Sequence, residues 1–364
     1  MAQGISNTLM LPGLAGTAAG DATAIAGNTN TRRHWLARAA AATGMAVGGG
    51  TLGWAGAPAR AQQAARFPQR SVRVVVPYGV GVGPDVVMRA VAEVLQRQWK
   101  QPVIIDNKPG ASGIVAFGDV RRTAPDGYTL YLADTATMCV NPLLHDTLPY
   151  DPARDLVPLT LLFRATFLVL VGGGSRFQTA PQLLEAARRE PGRVSYASLG
   201  NGHASQVAIE TLARAAGVRM LHVPFKDVGA LFTAVAAGDV DFTAFSYNTA
   251  AGLLQRGRLR ALAVAARTRI KDDPSLPTLA EAGAPDVEMR PWAGLVAVAG
   301  TPPALLEQLH HELTAAIEHP DVRERIAPLG FELEPSTPQQ LRERVETDLA
   351  RYAPLVREGR VQKI

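Results

Sequence analysis

Val72-Arg73-Val74-Val75-Val76-Pro77, then Tyr78 and Gly79-Val80-Gly81-Val82-Gly83, then Pro84-Asp85-Val86-Val87, run strand, glycine loop and helix start in one passage. The valine run reads as a buried strand. From Pro84 to Trp99 the period becomes helical, because Val87, Val91, Val94 and Leu95 recur at i, i+4, i+7 and i+8. Pro84 suits the first turn, where its missing N–H costs nothing. Arg89, Glu93 and Arg97 line another face at i+4 steps, so Glu93 is placed to pair with either arginine.

The same alternation continues outward. A strand at Val103-Ile104-Ile105, a loop through Lys108-Pro109-Gly110, a short helix and a strand from Tyr128 to Leu132 come next. A second series follows: strand Phe167 to Val171, helix Ala180 to Glu190, strand Val194 to Ala197, helix Ser205 to Ala216, strand Met220 to Val223 and helix Gly229 to Ala237. Strands at Val240 to Ala244 and Leu259 to Ala265 close it. The Pro-rich stretch from Asp272 to Pro285 connects to two amphipathic helices, Leu305 to Glu318 and Pro338 to Glu358. Strands alternating with helices predict an α/β chain of parallel βαβ units. Two lobes are expected, 66–165 with 290–364 in one and 166–289 in the other. No period of 20–50 residues recurs, which excludes a solenoid.

The chain has 364 residues, 47% apolar and 19% charged, so it can bury enough surface to offset its ordering entropy. Its single cysteine, Cys139, excludes a disulfide framework and a thiolate zinc cluster, and is expected as a small buried residue. The net charge of +5 is partly an effect of the N-terminus. Removing Arg32, Arg33, Arg38, Arg60 and Asp21 from the totals leaves 33 basic and 31 acidic residues for 62–364. That part has no basic run with interleaved aromatics, so no nucleic-acid partner is expected.

Thr31-Arg32-Arg33-His34-Trp35-Leu36 precedes an uncharged stretch from Ala39 to Ala59, and Ala59-Arg60-Ala61 has the small-x-small form of a cleavage site. This predicts a cleavable export signal behind an extension at residues 1–30. The paired arginines resemble a twin-arginine signal, although Trp35 stands where phenylalanine is usual, so the general secretory route stays open. A membrane anchor is disfavoured: the stretch contains six glycines, and each costs roughly 1 kcal/mol in a helix relative to alanine.

The motif search yields two loops and no catalytic set. Gly79 to Gly83 misses the dinucleotide fingerprint, which would need glycine where Pro84 or Val86 stands, and no Lys-Ser/Thr pair follows for a phosphate loop. Two readings remain, an anion cradle at a helix start and a tight structural turn. Ala197-Ser198-Leu199-Gly200-Asn201-Gly202-His203 is a second loop after a strand. It lacks the glycine before Ser198 that a nucleophile elbow needs. His203 there either meets a carboxylate or is solvated. His310-His311-Glu312 fails the zinc pattern at Ala315 and reads as a solvated histidine pair on a helix whose core stripe is Leu305, Leu309 and Leu313. No metal and no cofactor are expected.

Taken in order, these segments resemble the solute-binding receptors of tripartite tricarboxylate transporters, the Bug family. The resemblance is carried by Val74-Val75-Val76-Pro77-Tyr78 with the glycine loop, Asp106-Asn107-Lys108-Pro109-Gly110-Ala111, Pro125-Asp126-Gly127-Tyr128, His222-Val223-Pro224-Phe225-Lys226 and Gly238-Asp239-Val240-Asp241. Gly257-Arg258-Leu259-Arg260-Ala261, Pro277-Thr278-Leu279-Ala280-Glu281-Ala282-Gly283 and Gly300-Thr301-Pro302 continue it. It implies a periplasmic-binding-protein-like fold of two lobes around a cleft. It also implies capture of a small organic carboxylate, delivery to membrane permease subunits, a monomer, and no enzymatic activity. The implied ligand-binding set is Tyr78, Gly79, Gly81, Val82, Gly83, Asp85, Thr137, Ser198, Gly200, Asn201, Gly202, His203, Phe245 and Ser246. Val80 and Val82 depart from the family's usual proline and glycine. Ala244-Phe245-Ser246 lacks the aspartate many members place there, which argues against an amino-acid ligand and lets Phe245 favour a flatter or more apolar acid. A sensor role and a secreted enzyme on the same scaffold remain alternatives.

Export should remove the leader after Ala61 and leave Gln62 as the mature N-terminus, as amino-terminal sequencing of the periplasmic protein will show. If the route is twin-arginine, replacing Arg32 and Arg33 by lysine leaves precursor in the cytoplasm. Normal export of that double variant assigns the general secretory route.

Overall fold

The computed structural model describes residues 67–364, so the leader and its cleavage site lie outside the described residues. They belong to one compact unit that begins at Gln62. Its strands are β1 (Val72–Val76), β2 (Val103–Asn107), β3 (Thr129–Asp134), β4 (Leu156–Ala165), β5 (Phe167–Gly172), β6 (Ser195–Ser198), β7 (Leu221–Pro224), β8 (Phe242–Ser246), β9 (Leu259–Val264), β10 (Trp292–Val298) and β11 (Phe331–Leu333). They form two sheets, ordered β11-β4-β10-β3-β1-β2 and β7-β6-β8-β5-β9. Each sheet with its helices is called a lobe below.

The sheets are mixed, where all-parallel units were expected. β1 runs parallel to β2 and β3, but β10 is antiparallel to both β3 and β4, and β11 to β4. In the second lobe β6 is parallel to β7 and β8, whereas β5 is antiparallel to β8 and β9. β4, β10 and β11 escaped the sequence reading. Pro158 inside β4 argues against a strand, and the structure accommodates it beside a bulge in the β4–β10 ladder, where a missing N–H is tolerated.

Both faces of the first sheet are covered. Val72, Val74 and Val76 point to the helices Gly83–Trp99 and Pro303–Glu318, while Val75 points to the opposite core with Phe117, Tyr131 and Leu341. A strand buried on both faces needs apolar residues on both, which explains Val74-Val75-Val76, while half-buried Arg73 pairs with Asp106 and Asp119. Cys139 lies buried in that second core. Glu93 pairs with neither of its helix neighbours. It meets Arg325, while Arg89 turns to Asp85 and Arg97 to Asp321, because helix Pro320–Ile326 packs alongside and supplies better-placed charges. His310 is half-buried, with Nδ1 2.9 Å from the Leu159 carbonyl, so only His311 is exposed.

The chain crosses between the lobes at Ala165–Phe167 and returns at Met289–Trp292. The two crossings are bonded to each other, Ala165 N–H to the Pro291 carbonyl at 2.9 Å and Phe167 N–H to the Met289 carbonyl at 3.1 Å. The C-terminal segment makes a further link. Val140 and Leu144 of the first lobe, Val207 of the second, and Leu355 and Val361 form one small apolar core. Beside it Arg360 donates to Glu210 and to the Val218 carbonyl, while Tyr196 donates to the other Glu210 oxygen. This ion pair is nearly dry, with side chains 11% and 7% exposed. Arg360→Ala should therefore cost about 3 kcal/mol, since it leaves Glu210 buried without its cation. The urea midpoint measures the loss; a stability within 1 kcal/mol of wild type would mean that water replaces the guanidinium.

Candidate functional site

Strand ends and helix starts of both lobes converge on a cavity of about 150 Å³. Tyr78 follows β1, Gly110–Gly113 follows β2 and Asp134 ends β3; His203 and Ala204 from the second lobe face them, and Pro291 and Trp292 of the returning crossing close the floor. Crevices at the carboxyl ends of strands are where open α/β sheets bind ligands. The cavity lies below the 300–1,000 Å³ usual for drug-sized ligands. None of its lining residues is a lysine or arginine.

The first-lobe wall is a polar network. Tyr78 donates its hydroxyl to Asp134 Oδ2 at 2.5 Å, and Asp134 Oδ1 accepts from both Thr137 N–H and the Thr137 hydroxyl at 2.8 Å. Burial raises the Asp134 carboxyl, and these donors oppose the rise. Burial and the nearby Asp134 charge push the Tyr78 hydroxyl well up. Beside them the chain holds four successive left-handed residues: Gly110 (φ 133°), Ala111 (φ 44°), Ser112 (φ 48°) and Gly113 (φ 88°). Ala111 and Ser112 store of order 1 kcal/mol each there. The bend persists because Gly113 N–H closes onto the Gly110 carbonyl and Asn141 donates to the Ser112 carbonyl.

The second-lobe wall is a helix start. His203 caps helix Ala204–Ala215, its Nδ1 accepting from the Ser205 N–H at 3.1 Å. A ring that accepts at Nδ1 carries its proton on Nε2. Burial lowers the His203 pKa to about 4, so the ring is neutral at pH 7. Among the described residues Nε2 has no protein partner, which leaves this N–H free for the cavity.

The two glycine loops behave differently from the expected N–H cradle. Gly200 donates to Ser198, Leu199 to Ser205, Gly202 to Gln206 and His203 to the Gly200 carbonyl, so this loop spends four of its N–H groups on itself. Gly81 N–H turns to Asp85 Oδ2 at 2.8 Å and Val82 N–H to the Gly79 carbonyl. Asp85 is 1% exposed and braces the first loop. Burial would raise its carboxyl, but hydrogen bonds from Arg89, Asn107 and Gly81 hold it below the usual carboxylate range. Positive φ belongs to Gly81 (φ 80°). Gly83 is needed for another reason: a Cβ there would lie 2.4 Å from the Phe331 ring. A bulky residue at position 83 therefore disturbs packing whatever the ligand does.

Of the expected set, Tyr78 and His203 line the cavity, and Thr137 stands behind Asp134. Gly79, Gly81 and Val82 lie outside it, as do Gly200, Asn201 and Gly202. Asn201 donates to the Gln362 carbonyl instead. Phe245 is buried, 5.8 Å from Phe167 and 6.4 Å from the His203 ring, and Ser246 meets Thr249. Asp134, Ser112 and Trp292 were not among the expected site residues. Asp134 could have been found as an acidic residue at the end of a strand with threonine three positions on.

Ser198 needs separate treatment, because its Oγ is 2.6 Å from His222 Nε2 and Gln206 touches the other ring nitrogen, a spacing like that of a nucleophile and base. Gln206 Oε1 accepts from Gly202, so its NH₂ faces His222 Nδ1 and the ring proton sits on Nε2. That ring donates to Ser198 and has no lone pair to take its proton. Ser198 is also fully buried. The trio organises the loop. No group of three or more potential metal ligands occurs among the described residues.

Residues 87–360 match the model of the tripartite tricarboxylate transporter family receptor. The chain is 36% identical over 305 residues to the UPF0065 protein in gbd 5'region of Cupriavidus necator, covering 84% of this chain and 90% of that one. A solved Rhodopseudomonas palustris protein with adipate superposes with a TM-score of 0.73 at 28% identity, over 82% of this chain and all of the other. MatC from the same organism, with bound malate, gives 0.69 at 29% identity, over 79% of this chain and 99% of the other.

His203 sets an acid limit on stability. Its folded pKa lies below the ordinary 6.5, so its contribution is complete above pH 6.5 and is lost as pH falls from there toward 4. Between pH 7 and 4.5 this amounts to about 2–3 kcal/mol. His203→Asn keeps a capping side chain without the proton and should lose that much less over the same range in urea unfolding. Parallel losses in both proteins would show that His203 does not titrate this way.

Proposed function

This chain belongs to the tripartite tricarboxylate transporter receptor family, and from that premise we propose that it captures a small organic carboxylate between its lobes and presents it, as a monomer, to membrane permease subunits. The family is one of periplasmic, non-enzymatic binding proteins. Twin-arginine export is part of the proposal.

The observation that carries the reading is the neutral His203 at the start of helix Ala204–Ala215, offering Nε2–H to a cavity without lysine or arginine. A helix N-terminus carries roughly half a positive charge, and its effect grows where water is excluded. An anion is held there by oriented dipoles, so charge is met without an ion pair that must be broken at release. Tyr78, Ser112, Asp134 and His203 are the residues proposed to contact ligand. Thr137 acts on it through Asp134, and Asp85 and Ser198 act by shaping their loops. The paired crossings at Ala165–Phe167 and Met289–Trp292 suit a hinge that closes the lobes over the ligand. Relatives solved with adipate and malate support the carboxylate class.

At 100 times Kd a ligand adds about 2.7 kcal/mol, roughly a 5 °C rise in Tm for a chain of this size. A four- to six-carbon dicarboxylate should produce that rise and its dimethyl ester should not. Equal shifts from acid and ester would show that the carboxylate is not what is recognised.

A further inference from the structure

The two cavity walls differ in hydrogen-bond polarity. His203 Nδ1 accepts from the Ser205 backbone N–H, so Nε2 presents a donor. Tyr78 has spent its only proton on Asp134 Oδ2, which leaves the phenol oxygen two lone pairs and nothing to donate. Thr137 takes Asp134 Oδ1 twice and the Ala136 N–H also meets the carboxyl, so with Tyr78 four donors address its four acceptor positions. The second-lobe wall therefore gives a proton, and the Tyr78 corner of the wall opposite takes one, although Ser112 beside it can donate.

A plain carboxylate satisfies His203 and Ser112 but not the Tyr78 corner. Placed against Tyr78 and Asp134, it would set oxygen lone pairs against oxygen lone pairs beside a buried acid. A ligand carrying a proton donor as well as a carboxylate satisfies both walls. Resting on the carboxylate reading above, we propose that Tyr78, polarised by Asp134, is the specificity-determining residue, and that it selects hydroxy acids over the corresponding unsubstituted acids by accepting a hydrogen bond from the ligand hydroxyl. The direction of the Tyr78–Asp134 bond sets this choice. Thr137 holds Asp134 in place, and its two donors, like the Tyr78 hydroxyl, point at the carboxyl oxygens and oppose the rise that burial imposes. An ammonium also donates, but the phenol oxygen takes only one of its three protons and Asp134 has no position left for another in a cavity of about 150 Å³.

Isothermal titration of the mature protein with malate, succinate, 2-methoxysuccinate and aspartate tests the proposal. Malate should bind about tenfold tighter than succinate, and 2-methoxysuccinate, which keeps the oxygen but lacks its proton, should lose that advantage. In Tyr78→Phe the malate-to-succinate ratio should fall to near one. Asp134→Asn provides an independent reversal, because an amide NH₂ facing Tyr78 turns the phenol proton toward the ligand. Its ratio should drop to one or invert, with circular dichroism confirming that each variant is folded. Equal wild-type affinities for malate and succinate, or a ratio unchanged in a folded Asp134→Asn, overturn the assignment to Tyr78. Tighter binding of aspartate than of malate overturns the choice of hydroxyl over ammonium. Binding by none of these acids or any other carboxylate overturns the functional reading itself, a result distinct from binding without discrimination.

Discussion

The two backbone crossings between the sheets, hydrogen-bonded to each other through Ala165 and Pro291 and through Phe167 and Met289, are the constraint on which the remaining geometry depends. They force β10 back into the first sheet between β3 and β4, antiparallel to both. Trp292 thereby becomes the floor of the cavity. The Trp292 N–H is held by the Thr135 hydroxyl and its indole by Asp348, so the floor is fixed to the first lobe. With the crossings side by side, the carboxyl ends of β1, β3 and β6 face one another, and the loops after them form opposing walls.

Those walls also show how a binding loop is kept open in a chain that must satisfy its buried polar groups. An unpaired buried polar group costs about 1–3 kcal/mol, so loops spend donors internally unless something prevents it. Ser198, Ser205 and Gln206 absorb the N–H groups of one loop, and Asp85 absorbs that of Gly81 in the other. Capping uses one nitrogen of His203 and leaves the other. The groups left over are therefore few and directional, which favours selection by donor and acceptor pattern over simple charge.

Local signals were legible wherever one element decides its own form. The valine run at Val72–Val76, the helical period from Val87 to Leu95 and the burial of Cys139 needed no distant partner. The motif order carried the family, and the positions of Tyr78 and His203 followed from it. Glu93 shows the limit: its neighbours four residues away were visible, but Arg325, more than two hundred positions along the chain, won the pairing.

The sequence by itself determined the α/β class, the strand-to-helix loops and the absence of a thiolate metal or disulfide framework, because composition and short-range periodicity act within a few residues. Tertiary structure alone decided the antiparallel returns of β10 and β11, the packing role of Gly83 against Phe331, and the meeting of Asp134 with Tyr78. The proton on His203 Nε2, by contrast, is set locally by the Ser205 N–H two residues on. Hydrogen-bond direction depends on which partner arrives within about 3 Å. For Tyr78 and Asp134 that partner is fifty-six residues away in the chain, beyond the reach of any periodicity.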